Sequence, residues 1–282
     1  MQTYTFLKKL IDDNDMISPD KYQSLGKESS LLYFKRDFLF QSGYWRGNYH
    51  ASIDEELFNK RTTICLAHSD YRTDLKDLSR LWLKQVKRVY GVNTFNLARY
   101  SYSIPLGITE FCDDSPWHRL LGDISTFKIA NEDAATCDSF QPSIYCNFSV
   151  QTNPSERLRA LKYASNSLNV VWHRINLSKN GFIHYLRNLR SHPMVLAPEG
   201  NGFDTHRLWE TLYMGGTPVI ISNRYLPKEI LKLPVVILNS WEELEDLELV
   251  EQLWNLAQER RNSSFEFLKF SHWRSHILRS VP

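Results

Sequence analysis

The chain has 282 residues, more than one minimal domain needs and fewer than three would take. Hydrophobic residues at 42% and charged residues at 23% exclude wholesale disorder. The 34 basic and 32 acidic side chains leave a net charge of +2, without the basic surplus that a nucleic-acid binder draws on, so no nucleic-acid partner is expected.

Four cysteines, Cys65, Cys112, Cys137 and Cys146, form no CxxC pair and are too few for a disulfide scaffold of this size. Residues 1–15 hold no apolar run of signal-peptide length, and no stretch of 18 apolar residues occurs. The expectation is a soluble, cytoplasmic protein without a transmembrane segment. Aromatics at 13% suit a core plus a cleft that stacks flat ligands.

In chain order, residues 1–28 read as a surface helix with a loop, and 30–41 as a strand with an aromatic bias. Residues 61–67 form a β-branched strand that ends in HSDYRTD, placing polar groups at its carboxyl end. Asp74 opens an amphipathic helix reaching about Tyr90, with Leu75, Leu78, Trp82, Val86 and Val89 on one face and Gly91 as its stop. Short strands over 94–97 and 100–104 precede a break at Pro105 and Gly107.

The second half is more regular. A strand over 143–148 leads to a helix start in which Asn153 suits the N-cap, Pro154 the first helical position and Glu156 a capping-box-like arrangement, with Leu158 beginning the apolar stripe. A strand over 168–173, a helix over 181–189 and a strand over 194–197 follow. Next come a helix over 205–214 closed by Gly215-Gly216, and strands over 218–222 and 235–238. Ser240 and Glu243 cap a further helix. This alternation predicts βαβ units, right-handed crossovers and a parallel sheet. The fold class is therefore α/β, with a Rossmann-like lobe over 130–249. A first lobe over 1–129 is completed by helices in 250–282 that carry Leu253, Trp254, Phe267, Trp273 and Ile277 back across it.

Ligands of open α/β sheets lie outside the carboxyl ends of the strands, so the chemistry is expected in the loops there. Four of the eleven glycines fall between 200 and 216. Gly200-Asn201-Gly202 follows a strand and precedes a helix, where backbone N–H groups can face a ligand closely. With Asp204 as N-cap, Thr205, His206 and Arg207 occupy the first turn. A cation there opposes the helix dipole by roughly 0.3–1 kcal/mol, and Arg157 repeats the arrangement on the earlier helix. Two such arginines make sense around an anion, a diphosphate above all; otherwise each pairs with a carboxylate such as Glu156 or Glu210. Glu210, one turn beyond Arg207, suits a ribose diol, or else a salt bridge to Arg207 or His206. Glu199 either touches a sugar or is a surface carboxylate.

The stretch 198–220 (PEGNGFDTHRLWETLYMGGTPVI) resembles the donor-binding motif of GT-B glycosyltransferases, of the exostosin-like and compact viral type. Asn147-Phe148, Thr152 and Glu156-Arg157 resemble the companion motif at the first strand of that domain, and Ile104-Pro105-Leu106-Gly107 resembles the end of an acceptor domain. The resemblance implies two Rossmann-like lobes, the first trimmed, and a nucleoside-diphosphate sugar as co-substrate. It puts Arg157 and Arg207 on the diphosphate, the 200–202 loop beside it and Glu210 on the ribose. A glycan or glycoprotein acceptor and no essential metal are further expectations; the one DxD-like triplet, Asp13-Asn14-Asp15, precedes any strand that could present it. UDP is the favoured nucleotide and UDP-xylose one candidate donor, as for a xylosyltransferase, in the host cytoplasm if the chain is viral. Inverting transfer needs a general base, for which Asp70 beside His68 is best placed, with Asp37 and Asp74 as rivals. The alternatives are a GDP-sugar, fucosyltransferase-like enzyme, or a nucleotide-sugar-binding protein or hydrolase without glycan transfer.

Overall fold

The computed structural model describes residues 2–28, 32–35, 37–41, 44–48, 63–68, 72–74, 88–95, 101–109, 124–132, 136–137, 139–176, 178–261 and 265–279. The chain opens with two helices, α1 (Gln2–Asp12) and α2 (Pro19–Glu28). They are not a surface feature. Leu7, Leu10 and Ile11 recur at helical spacing, and with Tyr22 and Leu25 they are buried. The Asp13-Asn14-Asp15 triplet is the turn after α1. Asp13 pairs with Lys9 at 2.6 Å, and the Asp15 carboxylate accepts from the Ser271 N–H and hydroxyl at 2.8 and 2.6 Å.

The expected strand over 30–41 is split into β1 (Leu32–Lys35) and β2 (Asp37–Gln41), the latter in an antiparallel pair with β3 (Tyr44–Asn48). After them come β4 (Thr63–His68), β5 (Thr73–Asp74), β6 (Arg88–Gly91), β7 (Thr94–Phe95) and β8 (Ser101–Ser103). A parallel sheet in the order β1-β4-β6-β8 results, with β5 and β7 as a separate parallel pair. Val89, Tyr90 and Gly91, expected to finish a helix, form an inner strand of this sheet; residues 75–87 lie outside the described residues. A helical stripe read forward to Val89 overran, because pairing with β4 and β8 on both sides outweighs a four-residue local preference.

Helix α3 (Ile124–Glu132) precedes the second sheet, built from β9 (Ser143–Cys146), α4 (Pro154–Ser167), β10 (Asn169–Trp172), α5 (Lys179–Ser191), β11 (Met194–Leu196), α6 (His206–Met214), β12 (Pro218–Ile221) and β13 (Val236–Leu238). All five strands are parallel, in the order β10-β9-β11-β12-β13. Strand alternation divides the side chains between two cores. Ile144, Cys146, Met194, Leu196 and Val219 pack with Ala160 and Ala164 of α4 on one face. Tyr145, Val195 and Ile220 pack on the other with α5, α6, α1 and α2. One hydrophobic cluster thus joins the first helices of the chain to the second sheet.

Local signals in this half place the elements well but not always their caps. Asn153 occupies the N-cap position without capping through its side chain, and Glu156 accepts from the Trp241 indole at 2.6 Å instead of closing a box. Leu158 is 55% exposed; the buried face of α4 is Arg157, Ala160 and Ala164. Ser240 and Glu243 frame only a short 3₁₀ turn, with Glu243 bonded back to Asn239. The following helix, α7 (Leu247–Arg260), is capped by Asp246 accepting from the Leu249 N–H. Gly215 closes α6 in the left-handed region at φ 80°.

Helix α7 does not cross to the first sheet. Val250, Trp254 and Ala257 pack on the second, and the Trp254 indole donates to Pro193 O at 2.9 Å. Only the last segment turns back: Leu268, and Trp273 and Ile277 of α8 (Phe270–Leu278), join the cluster around α1, α2 and Tyr90. Tyr213 fastens this junction, accepting from Ile17 N and donating to Leu268 O, each at 2.8 Å. Cys65, Cys137 and Cys146 are free thiols, and Cys112 lies outside the described residues. Among the described residues no helix is long and apolar enough to cross a membrane.

Candidate functional site

The order β10-β9-β11-β12-β13 sends the chain to one edge and then back past its first strand, so it reverses between β9 and β11. Loops leaving those two strands diverge and leave a crevice at their carboxyl ends. A cavity of about 220 Å³ lies there. Asn147, Thr152 and Arg157 line it from beyond β9, and residues 200–202, Asp204, Thr205, His206, Arg207 and Glu210 from beyond β11. Leu106 and Thr109 approach from the first half of the chain.

Arg157 is 6% exposed, and its Nε donates to Glu199 O at 3.2 Å and its Nη1 to Ser149 O at 2.5 Å. Arg207 donates through Nη2 to Asn147 O, while its buried Nε has no partner. The two guanidinium groups sit 5.4 and 5.3 Å from the centroid of the same ring, Phe148. Among the described residues neither meets a carboxylate. Glu156 is engaged by Trp241, and Glu210 accepts from Thr109 Oγ1 at 3.1 Å and Tyr185 Oη at 2.8 Å. Burial first, and the charge of Arg207 second, lower Arg157 to about 10, which leaves it cationic at neutral pH. Carbonyl partners position a guanidinium but leave its charge uncancelled. Two such charges around one ring, near two helix N-termini, have the chemistry to accept an anion.

The glycines of the 200–202 loop answer to protein neighbours. A Cβ at 200 would stand 2.7 Å from Arg157 Nη2, and one at 202 would stand 2.3 Å from Asn93 Cγ. Asn153, the unused cap, donates to Gly200 O at 3.1 Å. Glu199 is not part of the cavity lining. Its carboxylate turns into a neighbouring groove and is held by Arg72 at 2.5 Å and Asn223 at 2.7 Å, and burial raises its pKa.

Asp204 is not the N-cap of α6; Thr205 holds that position, without a side-chain bond. Asp204 is 3% exposed and accepts from Leu106 N at 2.8 Å and the Trp209 indole at 2.8 and 2.9 Å. His206 bonds Gly107 O through Nδ1 at 2.8 Å rather than Glu210. Burial pushes the Asp204 carboxyl from 3.8 up to about 7, against the pull of the N–H groups of Leu106, Trp209 and Thr205. Between those values the folded chain holds a proton that the unfolded chain has released. This group's contribution to stability is therefore fully present below about pH 3.8 and is lost as pH rises through about 7. Melting temperature measured from about pH 4.5 to 7 is expected to fall more steeply for the natural chain than for Asp204→Asn. Parallel curves would show that this carboxyl does not titrate there.

Asp70 lies outside the described residues. His68 ends β4 and its side chain is not described, and Asp37 and Asp74 are placed only as backbone in β2 and β5. Sequence reading missed Tyr185, Thr109 and Asn176 of the cavity wall. Tyr185 carried a usable signal, a hydroxyl on the helix that follows β10, but no spacing rule ties it to Glu210. The cavity continues past Asn147, Asn176 and Tyr185 into a wider groove lined by Trp172, His173 and His184, where Trp172 is 40% exposed.

Among the described residues no three His, Cys, Asp or Glu side chains gather as metal ligands. No protein-family model matches the chain, and no curated protein matches it.

Proposed function

We propose that this protein is a glycosyltransferase of the GT-B kind that moves a sugar from a nucleoside diphosphate to a hydroxyl of a glycan or glycoprotein. The observation that carries this reading is the pair of carboxylate-free guanidinium groups, Arg157 and Arg207, flanking Phe148 where the second sheet reverses. A diphosphate matches their combined charge and the N-termini of α4 and α6. Glu210 lies one helical turn past Arg207, and its carboxylate, oriented by Tyr185 and Thr109, retains lone pairs for a ribose diol. On this reading residues 130–249 hold the donor and 1–129 the acceptor.

In the transfer, the acceptor oxygen attacks the anomeric carbon and loses its proton to a base, while the bond to the diphosphate breaks. Arg157 and Arg207 stabilise the charge that develops on the departing group, so no essential metal is required by the proposal. The base of an inverting reaction comes from the first lobe, Asp70 with His68 in our assignment. UDP is the favoured nucleotide and UDP-xylose a candidate donor, in a cytoplasmic setting.

A thermal-shift series with UDP, GDP, ADP and their sugars tests the site. UDP or a UDP-sugar at a hundred times its Kd is expected to add about 2.7 kcal/mol of stability. No shift with any nucleoside diphosphate overturns the proposal. Strongest stabilisation by GDP moves the reading to a fucosyltransferase-like enzyme. Stabilisation without acceptor-dependent release of nucleotide leaves a nucleotide-sugar-binding protein or hydrolase.

A further inference from the structure

Asn93 belongs to the turn between β6 and β7, in the first half of the chain, and is 3% exposed. Its backbone stands at φ 54°, a left-handed conformation that asparagine tolerates better than most residues. Its amide side chain makes two bonds to one residue 111 positions away. Oδ1 accepts from Asp204 N at 2.6 Å, and Nδ2 donates to Asp204 O at 3.3 Å. Asp204 immediately precedes the N-cap of α6, so no helical partner serves its N–H, and both backbone groups are buried. A planar amide supplies the donor and the acceptor together, as a neighbouring strand would.

The same amide explains Gly202, because its terminal atoms lie 2.3–2.5 Å from where a Cβ at 202 would stand. The other end of the loop is fastened from the second sheet, by Asn153 to Gly200 O and Arg157 to Glu199 O. The loop 199–204 is therefore clamped between the two halves of the chain, and it leads directly into the turn that carries Arg207.

We propose that Asn93 is a positioning residue for the anion cradle: by holding the backbone of Asp204 it sets the approach of the 200–204 loop and the start of α6 to a bound diphosphate. The inference rests on the diphosphate reading above. Without this clamp the loop must be ordered at the moment of binding, at the expense of affinity. Such an effect reaches the site from a strand turn outside the cavity lining.

The test is calorimetric titration of the full chain with UDP and with inorganic pyrophosphate. Asn93→Gly keeps the left-handed backbone and removes both bonds. Asn93→Asp keeps the size and the bond to Asp204 N but places an acceptor against Asp204 O. Affinity for both ligands is expected to fall about tenfold or more in Asn93→Gly and several-fold in Asn93→Asp. Both variants are expected to retain the circular-dichroism spectrum of the natural chain. UDP affinity unchanged in Asn93→Gly overturns the clamp while the diphosphate reading stands. Should Asn93→Gly fail to fold, unchanged affinity in Asn93→Asp overturns it by itself. Failure of the natural chain to bind either ligand sinks the reading beneath it and is distinguishable from both.

Discussion

Replacing Arg207 with alanine is expected to cut sugar transfer by about a hundredfold or more, the usual scale for losing one preorganised charged donor. Arg207 reaches the cavity beside Phe148, as Arg157 does, and its guanidinium is held by a single carbonyl, Asn147 O. That geometry orients the group while leaving most of its donors for a ligand. On the proposed reading, truncation leaves Arg157 alone to meet the leaving diphosphate. The effect on stability should differ in kind. A half-buried guanidinium whose Nε is buried without a partner, with a like charge nearby, is an unfavourable arrangement in the folded chain. The melting temperature of Arg207→Ala is therefore expected to equal or exceed that of the natural chain while turnover collapses. Arg207→Lys keeps the charge but not the fork and should fall between the two. Steady-state kinetics with scanning fluorimetry measure both quantities. Undiminished transfer by Arg207→Ala would refute the assignment.

Gly107→Ala is expected to destabilise the fold by roughly 2–4 kcal/mol, combining a strained left-handed residue with an overpacked contact. Gly107 stands at φ 76°, and a Cβ there would lie 2.1 Å from Ile17 O, a backbone atom that cannot swing away. The carbonyl of Ile17 cannot retreat freely, because it accepts from Ile108 N at 2.9 Å while Ile17 N donates to Tyr213. Gly107 O also bonds His206 on α6, so displacement here moves the start of the helix that bears Arg207. Urea denaturation of the pair of proteins measures the difference. A loss under about 0.5 kcal/mol, as at an ordinary surface position, would show that the loop absorbs a methyl group.

Much of the second sheet was legible from short apolar runs punctuated by Gly and Pro. The runs MVL and PVII read as buried strands because parallel strands are covered on both faces, and Gly215 marked the end of α6 through the left-handed turn that only it makes cheaply. The two arginines were legible too, as cations on the wrong end of two helices. The details that failed share a cause. Leu158 has the hydropathy of the apolar stripe although Arg157 is the buried neighbour, since hydropathy does not foresee a guanidinium drawn into a crevice. Asp204 has the composition of an N-cap, yet Leu106 and Trp209 claim its carboxylate, and Leu106 stands 98 positions away.

By themselves the residues determined an α/β chain with a parallel sheet in its second half, and a cluster of glycine, arginine and glutamate beyond its third strand. These follow from periodicity, turn chemistry and helix polarity, all of which act within a few positions. Tertiary structure alone decided that Glu199 faces Arg72, that Tyr185 holds Glu210, and that Asn93 holds Asp204. The first and last of these join residues 127 and 111 positions apart. Each is a polar group removed from water that must find its partner wherever the packed sheets bring one, and no local pattern encodes that meeting.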